Sequence, residues 1–429
     1  MAKSKTTTSL TSSRFGTMGW FMIIYIAVLL FLAGFMVGDG FNILLPTFGE
    51  SGLILPELLK FITVGQMIAL VYGVFTIFII RKIGPRMMST ASLIIMGLIA
   101  IFWGRSASTA QWAVCYIIIQ CCVQMITANA SMTLAANWWP KKKGLALGWA
   151  TMGSNVGSAI SVYLWTFIFS RCGGLKGGML AVGIIIMVFA VITFFIFRDV
   201  PEQMGLTPDN MPMTEEEIAA SRAKFEEKEK LHIGELLKQR NFWVDAILFG
   251  VMGMVCAGLV SQLVTGLTQV GIEYDRAVFL FFVAGLIAIA MSYLFGWLDV
   301  KIGTRMATFL LGICFALGAA CLVGTQAMEP LVYPACVLIA GGIGGYVNLM
   351  PSMCGSIFGR KKFVEAYGIA TLITGLIRST IFTIMSFTLV KFGSYILSYK
   401  LMIVLALVSA FMVFLFKEKD FAVNKGEEV

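Results

Sequence analysis

The stretch IRKIGPRM at 80–87 returns as DVKIGTRM at 299–306, sharing Lys-Ile-Gly-x-Arg-Met at an offset of 219 residues. Working outward, Lys141-Lys142 and Gly148-x-Ala150-Thr151 match Lys361-Lys362 and Gly368-x-Ala370-Thr371 at an offset of 220. Two matches at nearly one offset indicate a duplicated chain. Around them lie long runs nearly free of charge: 15–38, 61–80, 87–104, 106–140, 144–170 and 177–197, then 246–272, 277–298, 306–328, 330–359, 366–390 and 395–416. Each is long enough for a transmembrane helix of about 20 apolar residues and too long for the roughly 10 alternating residues of a barrel strand. The expected fold is therefore an all-α polytopic membrane protein, with twelve transmembrane helices in two pseudo-repeated six-helix bundles. The boundaries are a tail at 1–14, bundles at 15–197 and 241–416, a linker at 198–240 and a tail at 417–429.

Composition agrees. Of 429 residues, 59% are hydrophobic and 13% charged, where a soluble domain carries about 25% charged. This excludes a disordered chain and an ordinary soluble enzyme. The nine cysteines form no Cys-x-x-Cys pair and His232 is the lone histidine, so no metal site, disulfide framework or cofactor is expected. The net charge of +9 sits in loops and implies lipid contact rather than nucleic acid. Of the 32 Lys and Arg, 24 fall on the side of the two tails and the linker, seven on the other, and Arg378 lies inside a span. The positive-inside rule then places both termini in the cytoplasm and the chain in the cytoplasmic (plasma) membrane. The first span is read as retained rather than cleaved.

The repeated loop resembles that of the major facilitator superfamily, Gly-x-Leu-x-Asp-x-x-Gly-x-Arg. In the second copy Gly296, Leu298, Gly303 and Arg305 keep the spacing, while Asp299 comes one position early. In the first, Gly84 and Arg86 persist but Arg81 occupies the acidic position. The resemblance implies a secondary transporter of major facilitator fold, a monomer, with these loops as gates. The first half is expected to lack a latch carboxylate. The glycines Gly148, Gly153 and Gly157 resemble the family's small-residue segment, which lets helices approach closely in lipid. NWWPKKKGLA at 137–146 and PEQMGLTPD at 201–209 resemble segments of monocarboxylate porters and oxalate:formate antiporter-like members, which implies an organic-anion substrate.

Ionisable groups inside spans are costly and mark function. Arg378 is the deepest, and its repeat counterpart is Ser158. Its guanidinium offers a forked donor set for a carboxylate, and its position resembles a cationic one in oxalate:formate-type antiporters. The alternative is an Arg neutralised by a structural carboxylate or one capping broken-helix carbonyls. Those antiporters carry a second cation in span eight; here 277–298 has none, which favours a monocarboxylate over a dianion. Asp39, flanked by glycines, is a candidate for proton coupling or for satisfying a helix break. Asp245 is expected to be a structural anion near a helix N-terminus. Gln120 and Gln124 share a helix face. With Tyr25, Asn155, Ser158, Gln262, Tyr346 and Asn348 they are candidates for substrate contact, each equally able to bridge helices; Gln66 and Asn129 join them. The expected activity is alternating-access transport of a small organic anion, by proton symport or anion exchange. A proton-driven exporter of amphipathic drugs or sterol-like acids, and a transport-dead sensor, are the alternatives.

Overall fold

The computed structural model describes residues 15–37, 41–53, 55–211, 233–261 and 263–417. All regular structure in them is helical. The spanning helices are α1 (Gly16–Val37), α2 (55–83), α3 (85–103), α4 (Thr109–Trp138), α5 (Lys143–Arg171), α6 (Leu175–Ile196), α7 (Arg240–Ser261), α8 (Tyr274–Ile302), α9 (Thr304–Gly324), α10 (332–358), α11 (Lys362–Phe392) and α12 (Ile396–Met412). Ten apolar elements are long enough to cross a membrane. One of them folds back at Gly84, and the 29-residue α5 crosses as well, which gives twelve. The fold is the all-helical one expected from the duplicated runs.

Glycines make the turns and the contacts. Gly84 (φ 81°), Gly303 (φ 85°) and Gly359 (φ 69°) each reverse the chain between two spans on the face that carries both termini. A positive φ costs other residues a Cβ clash that glycine avoids. Within each half the packing repeats. A Cβ on Gly34 of α1 would lie 2.9 Å from the Ser158 nitrogen of α5; one on Gly253 of α7 would lie 3.5 Å from Cβ of Arg378 on α11. These are repeat-equivalent contacts. The halves then meet through two equivalent crossings. Gly148 of α5 seats against Ser292 of α8 (a Cβ would lie 2.8 Å from the carbonyl oxygen), and its repeat mate Gly368 of α11 seats against Ile77 of α2.

Lipid gives helices no hydrophobic reason to associate, so close backbone approach and dispersion must hold them. Large apolar side chains accordingly stay exposed on the rim, among them Phe195 and Val390. Gly153 has the backbone of Ala27 on α1 directly over it, with Cα 2.8 Å from where a Cβ would stand. Gly153→Ala should therefore push α1 from α5 and cost about 1–3 kcal/mol. Thermal unfolding of the detergent-solubilised protein reads this, and an unchanged midpoint would contradict the close crossing.

Candidate functional site

The two halves touch from the terminal face up to Gly375 of α11, where a Cβ would lie 2.8 Å from Leu70 of α2. Immediately beyond, Gln66 (one turn from Leu70) and Arg378 (one turn from Gly375) are both exposed. The helices part there, and a hollow opens away from the terminal face. Arg378 lies about 24 Å along the 31-residue α11, close to its middle. At about 100° per residue, its direction falls between Ile377 and Ile381, which pack on α7, and Gly375, which packs on α2. Leu376 and Phe387 are exposed on the opposite face, Phe382 and Leu389 on the same side as Arg378. The guanidinium is thus exposed on the side of α11 that lies between its contacts with α7 and α2. Gly253 lets it approach α7, where Cys256 and Tyr346 lie within its field. Among the described residues no carboxylate pairs with it.

Of the other expected contact residues, Tyr346 lies beside Arg378. Its hydroxyl donates to the Phe249 carbonyl at 3.2 Å, so it helps shape that wall. Asn155 reaches across from the first half to α8, and Asn348 ties α10 to the same helix within the second half. Asn155 donates to Ser292 Oγ at 2.9 Å and to the Ala288 carbonyl at 3.3 Å; Asn348 donates to the Ser292 carbonyl at 3.3 Å. They tie α5, α8 and α10. Ser158 packs on Gly34 of α1. Gln124 lies against Gly73 of α2, and Asn129 bonds Thr76 at 2.5 Å on the same helix. Gln120 is half-buried, with its Oε1 buried and unpaired. Tyr25 corrects the expectation: it is buried inside the first half, stacked on Phe197 with ring centroids 3.8 Å apart, and turned toward α6 rather than the hollow. Asp39 and Gln262 lie outside the described residues, as do the tail at 1–14 and most of the linker.

α4 contains a π-turn over Met125–Ser131. Such turns widen a helix by one residue and recur at functional sites. Asn129 sits in this one and meets α2, with Gly368 of α11 3.7 Å from its Oδ1 if that glycine bore a Cβ.

The loops at the terminal face hold the halves shut. Glu202, after α6, is fully buried and accepts two hydrogen bonds from Arg360 of the α10–α11 turn, at 2.8 and 3.1 Å. Arg81 of α2 pairs with Glu365 of α11. Lys143, buried at the start of α5, lies in the field of Asp299 on α8. Asp299 itself accepts from Ser352 of α10 and crowds Gly144 of α5, so it braces the two halves. Arg305 instead lies over the Phe414 ring at 5.2 Å.

The expectation that the first half has no latch carboxylate is overturned. Asp199, 113 residues from Arg86, accepts the Arg86 backbone N–H at 2.6 Å and lies over Gly84. Arg86 also donates to the Phe197 carbonyl at 3.3 Å. Burial pushes the Asp199 carboxyl up from its ordinary value, against the Arg86 N–H and charge that hold it down. Asp209 acts likewise on the α4–α5 turn, accepting the Lys141 and Lys142 N–H groups at 2.9 and 2.7 Å. Asp199→Ala should strand the Arg86 donor and cost about 1–3 kcal/mol, read as a lower unfolding temperature; no change would contradict the brace. Asp245 also departs from expectation. It lies five residues past the start of α7, beyond the open N–H groups of the first turn, and its Oδ1 is buried without a partner.

The helices of the described residues form two repeated halves, and residues 124–382 match the Major Facilitator Superfamily, a family of secondary transporters. The chain belongs to that family. It is similar to the "Phosphoglycerate transporter protein" of Salmonella typhimurium, 25% identical over 292 residues, which cover 64% of this chain and 61% of that relative. The match thus spans less than two thirds of the relative's length. Two solved structures share the fold. The proton:xylose symporter XylE bound to 6-bromo-6-deoxy-D-glucose has a TM-score of 0.73 at 14% identity, covering 92% of this chain and 96% of that one. FucP in the outward conformation has a TM-score of 0.64 at 14% identity, covering 91% and 97%.

Proposed function

We propose that this transporter carries a small organic anion, a monocarboxylate, across the cytoplasmic membrane, with Arg378 as the group that grips it. The observation that supports the reading is the Arg378 guanidinium, exposed near the middle of α11 and without a carboxylate partner among the described residues. A forked cation there suits a carboxylate, and a lone one suits a single negative charge, because a second anionic group in a dry site would lack compensation. The phosphoglycerate transporter named above supports an organic anion as the cargo class. A resemblance to monocarboxylate porters in the basic segment 137–146 and in PEQMGLTPD at 201–209 supports the monocarboxylate. The terminal face is the cytoplasmic one, from the Lys and Arg excess in its loops. The hollow therefore opens outward.

The reading leaves Gln66 and Tyr346 as the polar neighbours that orient the bound acid, while Asn155 stays engaged between the halves and Asn348 within the second half. Coupling is to a proton or to a counter-anion. The test is uptake of a panel of carboxylates into proteoliposomes, with and without a pH gradient or an internal anion, after a thermal-shift screen of the same acids. A ligand that binds only folded protein raises its unfolding temperature. A panel in which no monocarboxylate shifts stability or enters the vesicles would defeat the reading.

A further inference from the structure

Asp245 takes no part in the Arg378 site or in the ties between the halves. It is 2% exposed on α7, and its Oδ1 is sealed from solvent with no hydrogen-bond donor among the described residues. The titratable groups facing it are the Cys354 thiol from α10 and the Tyr367 hydroxyl from α11. Neither is a cation. The other neighbours of α7 carry Arg305, Cys314 and Cys321 on α9, Tyr399 and Lys400 on α12, and Glu235 and Lys238 on the short helix Ile233–Lys238. Arg305 is turned over Phe414, Glu235 and Lys238 are exposed, and none of these groups acts on Asp245. On α7 itself, Arg240 donates to the Leu415 carbonyl.

The carboxyl nevertheless lies, through its neighbours, between Arg378 and the closed face. Tyr367 lies in the field of Tyr346, and Tyr346 in that of Arg378. Toward the other half, Cys354 lies in the field of Lys143, which borders Gly355 of α10 across the closed interface. An ionised carboxylate in such a place pays a desolvation cost of several kcal/mol with no counter-charge to offset it, whereas a neutral carboxyl does not.

We propose that Asp245 is a proton-binding site of the carrier, holding its proton while the terminal face is closed and passing it to water when the halves part there. The proposal rests on the alternating-access reading, and names a coupling carboxyl different from Asp39. Proton binding then favours the outward-open form, and a rising pH at the terminal face favours opening there.

The experiment follows the distance between labels at Lys82→Cys and Lys362→Cys, exposed positions on opposite halves of the terminal face, with the exposed Cys172 replaced by serine. The expected result is that the ratio of parted to closed protein rises with pH by up to about tenfold per unit, the slope of one linked proton. Asp245→Asn should stay closed at every pH. A flat wild-type profile, or an unchanged slope in Asp245→Asn, overturns the proposal. Should that variant fail to fold, infrared difference spectra of the wild type between low and high pH decide. A protonated-carboxyl C=O band lost on opening, and displaced in Asp245→Glu, supports the site; its absence overturns it. Neither readout uses an organic anion, so a protein that moves none would sink the proposed cargo without touching this assignment.

Discussion

Arg378→Ala protein should insert and unfold like the wild type yet take up its organic acid at least about 30-fold more slowly. The estimate comes from truncating one partner of a desolvated, hydrogen-bonded charge pair, which costs about 2–5 kcal/mol, or roughly 30- to several thousand-fold. In the open form the guanidinium is exposed, so water screens it and initial binding weakens less. The full loss should appear in the flux, because closing over the substrate removes that water. Arg378→Lys keeps the charge but loses the planar fork and should fall between the two. Its backbone neighbour Gly253 offers room for either replacement. Uptake into proteoliposomes, with unfolding temperature as the control, measures both. Wild-type flux in Arg378→Ala would remove this residue from the binding site.

The second large effect concerns Glu202 and Arg360. Their side chains are 0% and 10% exposed and joined by two parallel hydrogen bonds between the halves. Removing one partner takes two charge-assisted hydrogen bonds from a buried ionic group, at a cost of up to about 3–5 kcal/mol. That cost falls on the form closed at the terminal face and spares the one open there. Glu202→Gln or Arg360→Gln should therefore move the equilibrium toward the terminal-open form by roughly 100-fold or more. The swap Glu202→Arg with Arg360→Glu should recover much of the loss, which the coupling in a double-mutant cycle expresses directly. Distances between labels on the two halves report the shift. Additive effects with no recovery would show that the pair does not hold the face shut.

The spans were legible because lipid imposes a coarse rule, long apolar runs between basic loops, that local sequence displays. The repeat was legible for the same reason: Gly84 and Gly303 are needed wherever the chain must reverse tightly, and duplication kept them. Arg378 stood out because a charge at that depth has no cheap structural excuse. What failed to show was pairing over distance. Arg81 seemed to mark a lost latch, while the carboxylates serving that region are Glu365 and Asp199, 284 and 113 residues away. Glu202 lay inside a segment singled out by resemblance, yet nothing local pointed to Arg360. Tyr25 illustrates the opposite error. Its hydroxyl suggested a cavity, but its ring is stacked on Phe197, and a phenol satisfies core packing as readily as recognition. Asn155 and Asn348 were polar for a third reason, the need to bridge crossing backbones.

The ties at Glu202–Arg360 and Arg81–Glu365 sit at one end only, and this gives the molecule a pharmacological sidedness. On the proposed orientation, an impermeant blocker of the Arg378 site meets an open door from outside the cell and a wall from the side of the Glu202–Arg360 tie. Inhibitors delivered to the wrong compartment would wait on the rare moments when that wall gives way.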